Sequence, residues 1–339
     1  MRPRRIGEDA LVAGIAARFG SRHPRLIKGI GDDTCVVRLS AGKALLATTD
    51  ILIENTHFKR SYTPPFLLGR KSLSISLSDI AAMGGAPLFY LVSVALPPGI
   101  DKKFVDEIYR GLAEAARESG AILAGGNTAR TEDGMVIETT VFGEAAEDEV
   151  LYRSTARPGD IVFVTGTLGS SALGLKVLSN HGPDAIRRKL YRDSITRHLD
   201  PTPRLKAGRA LAASGLVTAM MDISDGVGLD LKRLCEASGK AAVIHLSALP
   251  ITDELSEYGE RTGKSSRLDF ALTGGEDYEL LFTAPEDNMK RLSALSKKLS
   301  LPFTPIGRII PKKKAGRTIT VIDEDGRPLK LKRLGFEHF

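Results

Sequence analysis

Apolar residues recur along this chain at two spacings, and the spacings divide it into helical and extended blocks. Residues 8–19 put Leu11, Val12, Ile15, Ala16 and Phe19 at helical intervals, which predicts a short amphipathic helix. Lys43 to Ile53 is rich in β-forming residues and predicts a strand, with Asp50 near its end. Phe66 to Met83, entered from Pro64-Pro65 and closed by Gly84-Gly85, predicts a helix. Leu73, Leu77 and Ile80 mark its apolar face, and Asp79 falls at that face's edge. Leu88 to Leu96 predicts a strand stopped by Pro97-Pro98-Gly99. Asp101 to Ser119 is the clearest helix, with Phe104, Ile108, Leu112 and Ala115 on one face and Gly120 at its end. Ala121 to Ala124 predicts a short strand running into Gly125-Gly126, and Met135 to Phe142 predicts another.

The pattern then breaks. Glu144 to Glu149 is acidic and irregular, and Arg157-Pro158-Gly159-Asp160 reads as a turn. The apolar strand Ile161 to Thr165 opens a second unit, which runs through Gly166–Gly169 into a helix from about Ala172. Helices near 203–214 and 227–238 and a strand at 241–246 follow. The expected domains are residues 1–148 and 149–339. Both halves mix strands and helices without strict alternation, so the expected class is α/β arranged as α+β layers, not a doubly wound parallel sheet.

Composition narrows the class. A chain of 339 residues suits two domains, and 42% hydrophobic with 26% charged residues excludes a disordered protein. The formal charge of +7 fits either a solvated basic surface or attraction for anionic substrates. Nucleic-acid binding is disfavoured: the basic residues are dispersed apart from Lys312-Lys313-Lys314, and there is no Trp. Cys35 and Cys235 form no metal or disulfide pattern. The basic start, Met1 to Arg5, leads into no secretory apolar core. No apolar run approaches the roughly 20 residues that cross a bilayer. The expected setting is the cytoplasm, with no membrane partner.

The candidate chemistry lies in short acidic motifs. Six aspartates occur in Gly31-Asp32-Asp33, Thr48-Thr49-Asp50, Ser78-Asp79 and Asp222-Ile223-Ser224-Asp225. Acids at element ends are expected to be exposed, and several gathered together repel. Divalent metal best explains such hard oxygen ligands, and Mg²⁺ in turn suggests phosphates. Each motif alone also has an ordinary reading. Gly31-Asp32-Asp33 suits a surface turn, Thr48-Thr49 suits an edge strand, and Ser224 or Asp225 suits a helix cap. Asp79 is different, because a carboxylate beside a packed helix end is costly unless paired or metal-bound. Gly125-Gly126-Asn127-Thr128 suits either a turn or backbone contact with phosphate. Gly274-Gly275-Glu276-Asp277 suits a bulge or contact with a cationic substrate. His57, in a polar loop beside Glu54 and Asn55, is a substrate-contact candidate. Gly259 to Ser265 is not a P-loop, because its glycines are too close and no strand precedes it. Gly166–Gly169 lacks the dinucleotide glycine order.

Seven motifs in order make this chain similar to the thiamine-monophosphate kinase family. That family sits in the superfamily of aminoimidazole ribonucleotide synthetase and selenophosphate synthetase. The motifs are Gly29 to Asp33, Thr48 to Phe58, Leu77 to Gly84, Gly125 to Thr128, Gly159 to Thr167, Met221 to Gly226 and Gly274 to Leu280. The terminal Phe336 to Phe339 adds to them. The resemblance implies ATP-dependent phosphorylation of thiamine monophosphate to thiamine diphosphate, with ATP as co-substrate and several Mg²⁺ ions. It implies a two-domain synthetase-like fold and a homodimer whose N-terminal halves pair into a β-barrel-like core.

Carried over residue by residue, Asp33, Thr48, Thr49, Asp50, Asp79, Asp222 and Asp225 match metal positions. Tyr109, Gly125, Gly126, Arg153 and Ser224 match nucleotide positions. His57, Glu276 and Phe336 match positions facing the thiamine phosphate. Two departures stand out. Asn127 replaces a usual aspartate at a metal position, implying one ion bound more weakly or not at all. Phe336 replaces a usual Trp or Tyr, keeping the stacking face without a polar group. Related reactions of the superfamily activate an amide oxygen or selenide. Residues 1–28 lack the reactive Cys of the selenide enzymes. A nucleotide-sensing protein without turnover is the reading that Asn127 raises.

Overall fold

The computed structural model describes residues 26–28, 32–38, 41–187, 190–314, 316–329, 331 and 333–337. The helix expected over residues 8–19, Gly31 and the terminal pair 338–339 lie outside the described residues. The first sheet is built from β1 (Leu26–Lys28), β2 (Cys35–Arg38), β3 (Lys43–Ile53), β4 (Ala86–Leu96), β5 (Ile122–Arg130) and β6 (Val136–Ala146), in the order β1-β2-β3-β6-β4-β5. Its neighbours are antiparallel except β4 and β5, which are parallel because a helical crossover joins them. Helix α1 (Pro65–Ala82) packs on β3 and β6, and α2 (Lys102–Ser119) packs on α1.

The second sheet contains β7 (Ile161–Thr165), β8 (Ala219–Asp222), β9 (Lys240–His245), β10 (Leu280–Ala284), β11 (Phe303–Pro311) and β12 (Ile319–Ile322), ordered β12-β9-β11-β7-β10-β8. Its helices are α3 (Ser170–His181), α4 (Arg192–Leu199), α5 (Leu205–Ser214), α6 (Val227–Ala237), α7 (Asp253–Thr262), α8 (Lys264–Thr273) and α9 (Met289–Leu299). The architecture is two layered α+β units, as the sequence pattern predicts.

Helix α1 is the element that joins the two halves. A helix on a domain surface buries one stripe, yet 13 of the 18 residues of α1 are buried. Its early turns meet α2, where glycines permit backbone contact: a Cβ on Gly111 would lie 1.9 Å from Phe66 O. Its last turn meets the second half. Ala81 and Ala82 share a core with Leu211, Met220 and Phe282, and a Cβ on Gly208 of α5 would lie 2.0 Å from Ala81 O. Small residues on both helices therefore bring Ser78 and Asp79 close to the end of β8, where Asp222 sits.

The strand expected to stop at Ala124 instead runs on through Gly125 and Gly126 to Arg130. Paired glycines usually signal a turn. Here they permit close approach within the sheet, since a Cβ on Gly126 would lie 1.9 Å from Val92 O. The expected caps also differ. Gly226 precedes α6 with no side-chain cap, while Asp230, from the helix's own first turn, accepts the Asp225 N–H at 3.0 Å.

Candidate active site

Four parts of the fold deliver acids to one buried place. The alternation of β3 turns Thr48 and Asp50 toward α1. Thr48 Oγ1 donates to Asp79 Oδ2 on that helix. Burial raises the pKa of Asp50, and a hydrogen bond from Ser76, one turn before Asp79, opposes it. Ser78 Oγ donates to Asp222 Oδ2 at 2.7 Å. Asp33 arrives from the turn before β2. Asp33, Asp79 and Asp222 each place a carboxylate oxygen within 4.8 Å of the other two. The acids are thus not the exposed groups the sequence suggests, because α1 and β8 close over them: Asp222 is 2% exposed.

Burial and mutual repulsion resist ionisation here. Burial first, then Asp222 and Asp32, push Asp33 up to about 8, although Arg153 opposes them. Burial, then Asp50, Asp222 and Asp33, raise Asp79 well above the carboxylate range. Asp222 rises to about 6, chiefly from burial, with the Ser78 hydrogen bond opposing. Arg153 is the cation that reaches this group. Its Nε donates to Asp32 at 3.1 Å and its Nη2 to Asp33. Three buried carboxylate oxygens, Asp32 Oδ2, Asp33 Oδ2 and Asp50 Oδ2, have no hydrogen-bond partner among the described residues, although Lys28 Nζ lies 3.4 Å from that of Asp32. Orphaned, oxygen-only donors crowded into one buried site fit Mg²⁺.

A second cluster adjoins the first. The chain from Gly274 to Glu279 is irregular, with Glu276 at φ 64° and Tyr278 at φ 50°. Three backbone bonds stitch it to the loop after β8: Glu276 N–H to Ser224 O at 2.7 Å, Tyr278 N–H to Ile223 O at 2.9 Å and Ile223 N–H to Glu279 O at 2.9 Å. Glu276 accepts from Lys71 Nζ at 2.8 Å and lies 3.1 Å from His198 Nδ1. Burial alone would raise its pKa, but Lys71 and His198 hold it well below the usual range. Asp277 accepts the N–H groups of Gly169 and Ser171 at the start of α3. Glu279 accepts from Thr165 at 2.6 Å and from Arg204 Nε at 2.7 Å. Phe336 is exposed and its N–H donates to Asp225 O at 2.9 Å. Phe336 and Glu276 therefore flank the Ser224–Asp225 turn. The Asp225 carboxylate itself is paired with Arg233.

The remaining candidates lie elsewhere. Thr49 faces the other side of the sheet, where it donates to Glu138. Against burial, hydrogen bonds from Thr140, Thr49 and Ser93 hold Glu138 below the usual carboxylate range. Asn127 registers with Ser93 on that same outer face, and its Oδ1 accepts the Thr128 N–H at 2.9 Å. Gly125 and Gly126 lie in the exposed strand β5. Tyr109 is partly buried beneath the first sheet. His57 Nδ1 accepts the Ile53 N–H at 3.0 Å, which holds its ring against the end of β3, outside the aspartate cluster.

Lys71, His198, Arg204 and Asp230 lie outside the motifs, and Glu279 lies inside the Gly274 to Leu280 motif without a role assigned to it. Two carried a faint signal, as charges close to apolar helix positions: Lys71 two residues before Leu73, and Asp230 between Leu229 and Leu231. His198, Arg204 and Glu279 gain their partners only through the tertiary fold.

Comparison with known proteins agrees with this fold. A model described as AIR synthase related protein, N-terminal domain, matches residues 31–145, and one for the C-terminal domain matches residues 157–320. The fold is that of an AIR synthase related protein. The thiamine-monophosphate kinase of Bacillus subtilis (strain 168) is 36% identical over 320 residues, spanning 94% of this chain and 95% of that protein. That of Aquifex aeolicus (strain VF5) is 36% identical over 339 residues, the whole of both chains. The solved structure of AaThiL complexed with AMPPCP and TMP matches with a TM-score of 0.86 at 35% identity, covering 100% of this chain and 99% of that one. The chain belongs to the thiamine-monophosphate kinase family. No helix among the described residues is long and apolar enough to cross a membrane.

Proposed function

We propose that this protein is a kinase that phosphorylates thiamine monophosphate to thiamine diphosphate with ATP. The observation that carries the reading is the buried Asp33–Asp79–Asp222 cluster with its orphaned oxygens, in a chain that matches thiamine-monophosphate kinases from end to end. A terminal phosphate oxygen of the substrate forms a bond to the γ-phosphorus of ATP. The bond to the β,γ-bridging oxygen breaks, and ADP leaves. The attacking oxygen is ionised at neutral pH, so no strong general base is required. The barrier is repulsion between two polyanions, which positioning and charge neutralisation lower.

Asp33, Thr48, Asp50, Asp79 and Asp222 would hold Mg²⁺, with Asp225 beside them, while Thr49 and Asn127, on the outer face of the sheet, would serve only an ion bound on that face. Bound in the cluster, Mg²⁺ would neutralise and align the phosphates. Arg153 beside Asp33, with Tyr109, Gly125, Gly126 and Ser224, would contact the nucleotide. His57, Glu276 and Phe336 would face the thiamine phosphate. No covalent enzyme intermediate is required.

We further propose a cytoplasmic homodimer formed through the outer face of the first sheet. That face carries Ile51 at 48%, Phe89 at 38% and Ile122 at 68% exposure, and β5 is an exposed edge. The chain would divide near residue 148 into a nucleotide-binding, dimerising half and a half that completes the cleft. The test is ADP release coupled to thiamine diphosphate detection, with purified protein, ATP, Mg²⁺ and thiamine monophosphate. Substrate-dependent release of both products is expected. Tight ATP binding without turnover would overturn the kinase reading in favour of a nucleotide sensor.

A further inference from the structure

We infer that Lys71 and His198 are positioning residues that hold Glu276 in place to receive the organic, cationic half of the substrate. The inference rests on the reaction proposed above and extends it to two residues outside every motif.

Three observations converge on Glu276. First, its carboxylate is held on two sides, by Lys71 Nζ at 2.8 Å and His198 Nδ1 at 3.1 Å. Both partners are buried, at 1% and 2% exposure, whereas the Glu276 side chain keeps 23%. The Glu276 side chain therefore keeps a part that its two buried partners do not cover. Second, Glu276 occupies the left-handed region at φ 64°, a conformation that non-glycine residues hold only when their surroundings impose it. The Ser224 O bond and the Lys71 and His198 contacts are that imposition. Third, the contacts span the molecule. Lys71 rises from α1, which also carries Asp79, and His198 lies on α4. His198 Nδ1 is also 3.2 Å from Ser171 Oγ, and the Ser171 N–H reaches Asp277 Oδ1.

A carboxylate only accepts hydrogen bonds, so His198 presents its Nδ1 proton to Glu276. Lys71 compensates the charge of Glu276, which leaves the carboxylate a fixed acceptor with little net field. Such a group selects by position. It suits an amino donor on the organic half of the substrate, and as an acceptor it offers nothing to the phosphates of ATP. The two partners thus act on one substrate only. A purely structural ion pair would show no such bias.

Steady-state kinetics on the full-length protein test this. Lys71→Met is expected to raise KM for thiamine monophosphate about tenfold or more, with KM for ATP unchanged, and Glu276→Gln to do the same. The double variant K71M/E276Q is expected to be no worse than E276Q alone, because Lys71 acts through Glu276. If Lys71→Met fails to fold, the comparison of K71M/E276Q with E276Q decides, since neither charge is left unpaired in the double variant. Equal KM values support the inference, and a further rise overturns it. Unchanged KM for thiamine monophosphate in Lys71→Met, or an equal rise for both substrates, would also overturn it while leaving the kinase reaction intact. Absence of turnover by the wild type would instead remove the reaction and the inference together.

Discussion

Replacing Asp222 with Asn separates what the aspartate cluster does for stability from what it does for catalysis. Asp222 is 2% exposed, and its carboxyl rises from 3.8 to about 6. A group raised in this way binds its proton more tightly folded than unfolded. Below pH 3.8 both states are protonated and nothing is lost. As pH rises from there to about 6 the unfolded chain ionises first, and stability falls. Above about 6 the penalty is constant, at about two pH units times ~1.4 kcal/mol, or about 3 kcal/mol.

The amide introduced by Asp222→Asn would keep an acceptor for the Ser78 hydroxyl, so that hydrogen bond persists and the penalty disappears. In metal-free buffer at about pH 7.5, Asp222→Asn is therefore expected to melt a few degrees above the wild type. At about pH 3, below the ordinary value of 3.8, the difference should nearly vanish. Added Mg²⁺ should raise the wild-type melting temperature and leave the variant nearly unmoved, because a bound ion stabilises only the state that holds it. Turnover should fall at least ~100-fold. The measurement is thermal unfolding by fluorescence across pH and Mg²⁺ concentration, beside the coupled assay. A variant that melts lower than wild type without metal, yet keeps the full Mg²⁺ shift, would refute the reading of Asp222 as a repelled metal ligand.

Other substitutions probe the remaining parts of the structure. Arg153→Met leaves Asp32 and Asp33 without their guanidinium and should cost about 3–5 kcal/mol in urea unfolding. A change within experimental error would show that Lys28, 3.4 Å from Asp32, suffices. Gly208→Ala puts a methyl 2.0 Å from Ala81 O and should cost about 1–3 kcal/mol while lowering turnover, because it separates α1 from the second half. Wild-type stability and activity would refute that coupling. Ile122→Lys, at a position 68% exposed, should leave the melting temperature of the fold nearly unchanged and convert a dimer to monomer in light scattering. An unaltered mass would place any interface elsewhere.

Local chemistry made much of this protein legible in one dimension. Richness in β-forming residues marked β3 with Asp50 near its end, and the 3.6-residue period with Gly120 marked α2. Motif order carried the family. Local signals misled where a residue's meaning depends on its neighbours. Gly125 and Gly126 look like a turn but lie within a strand, because Val92 stands against them. The helices Arg192–Leu199 and Asp253–Thr262 escaped because polar residues dominate both.

The sequence by itself determined that acids, glycines and small residues recur in an order suited to metal and phosphate, because residue type and spacing set local conformation and ligand chemistry. Only the tertiary structure decided that Asp33, Asp79 and Asp222 meet while Thr49 and Asn127 face away, and that Lys71 and His198 close on Glu276. Those facts depend on how α1 lies between the two sheets. That placement is set by backbone contacts at Gly111 and Gly208 with residues distant in the chain, and burial and long-range pairing have no signature in local sequence.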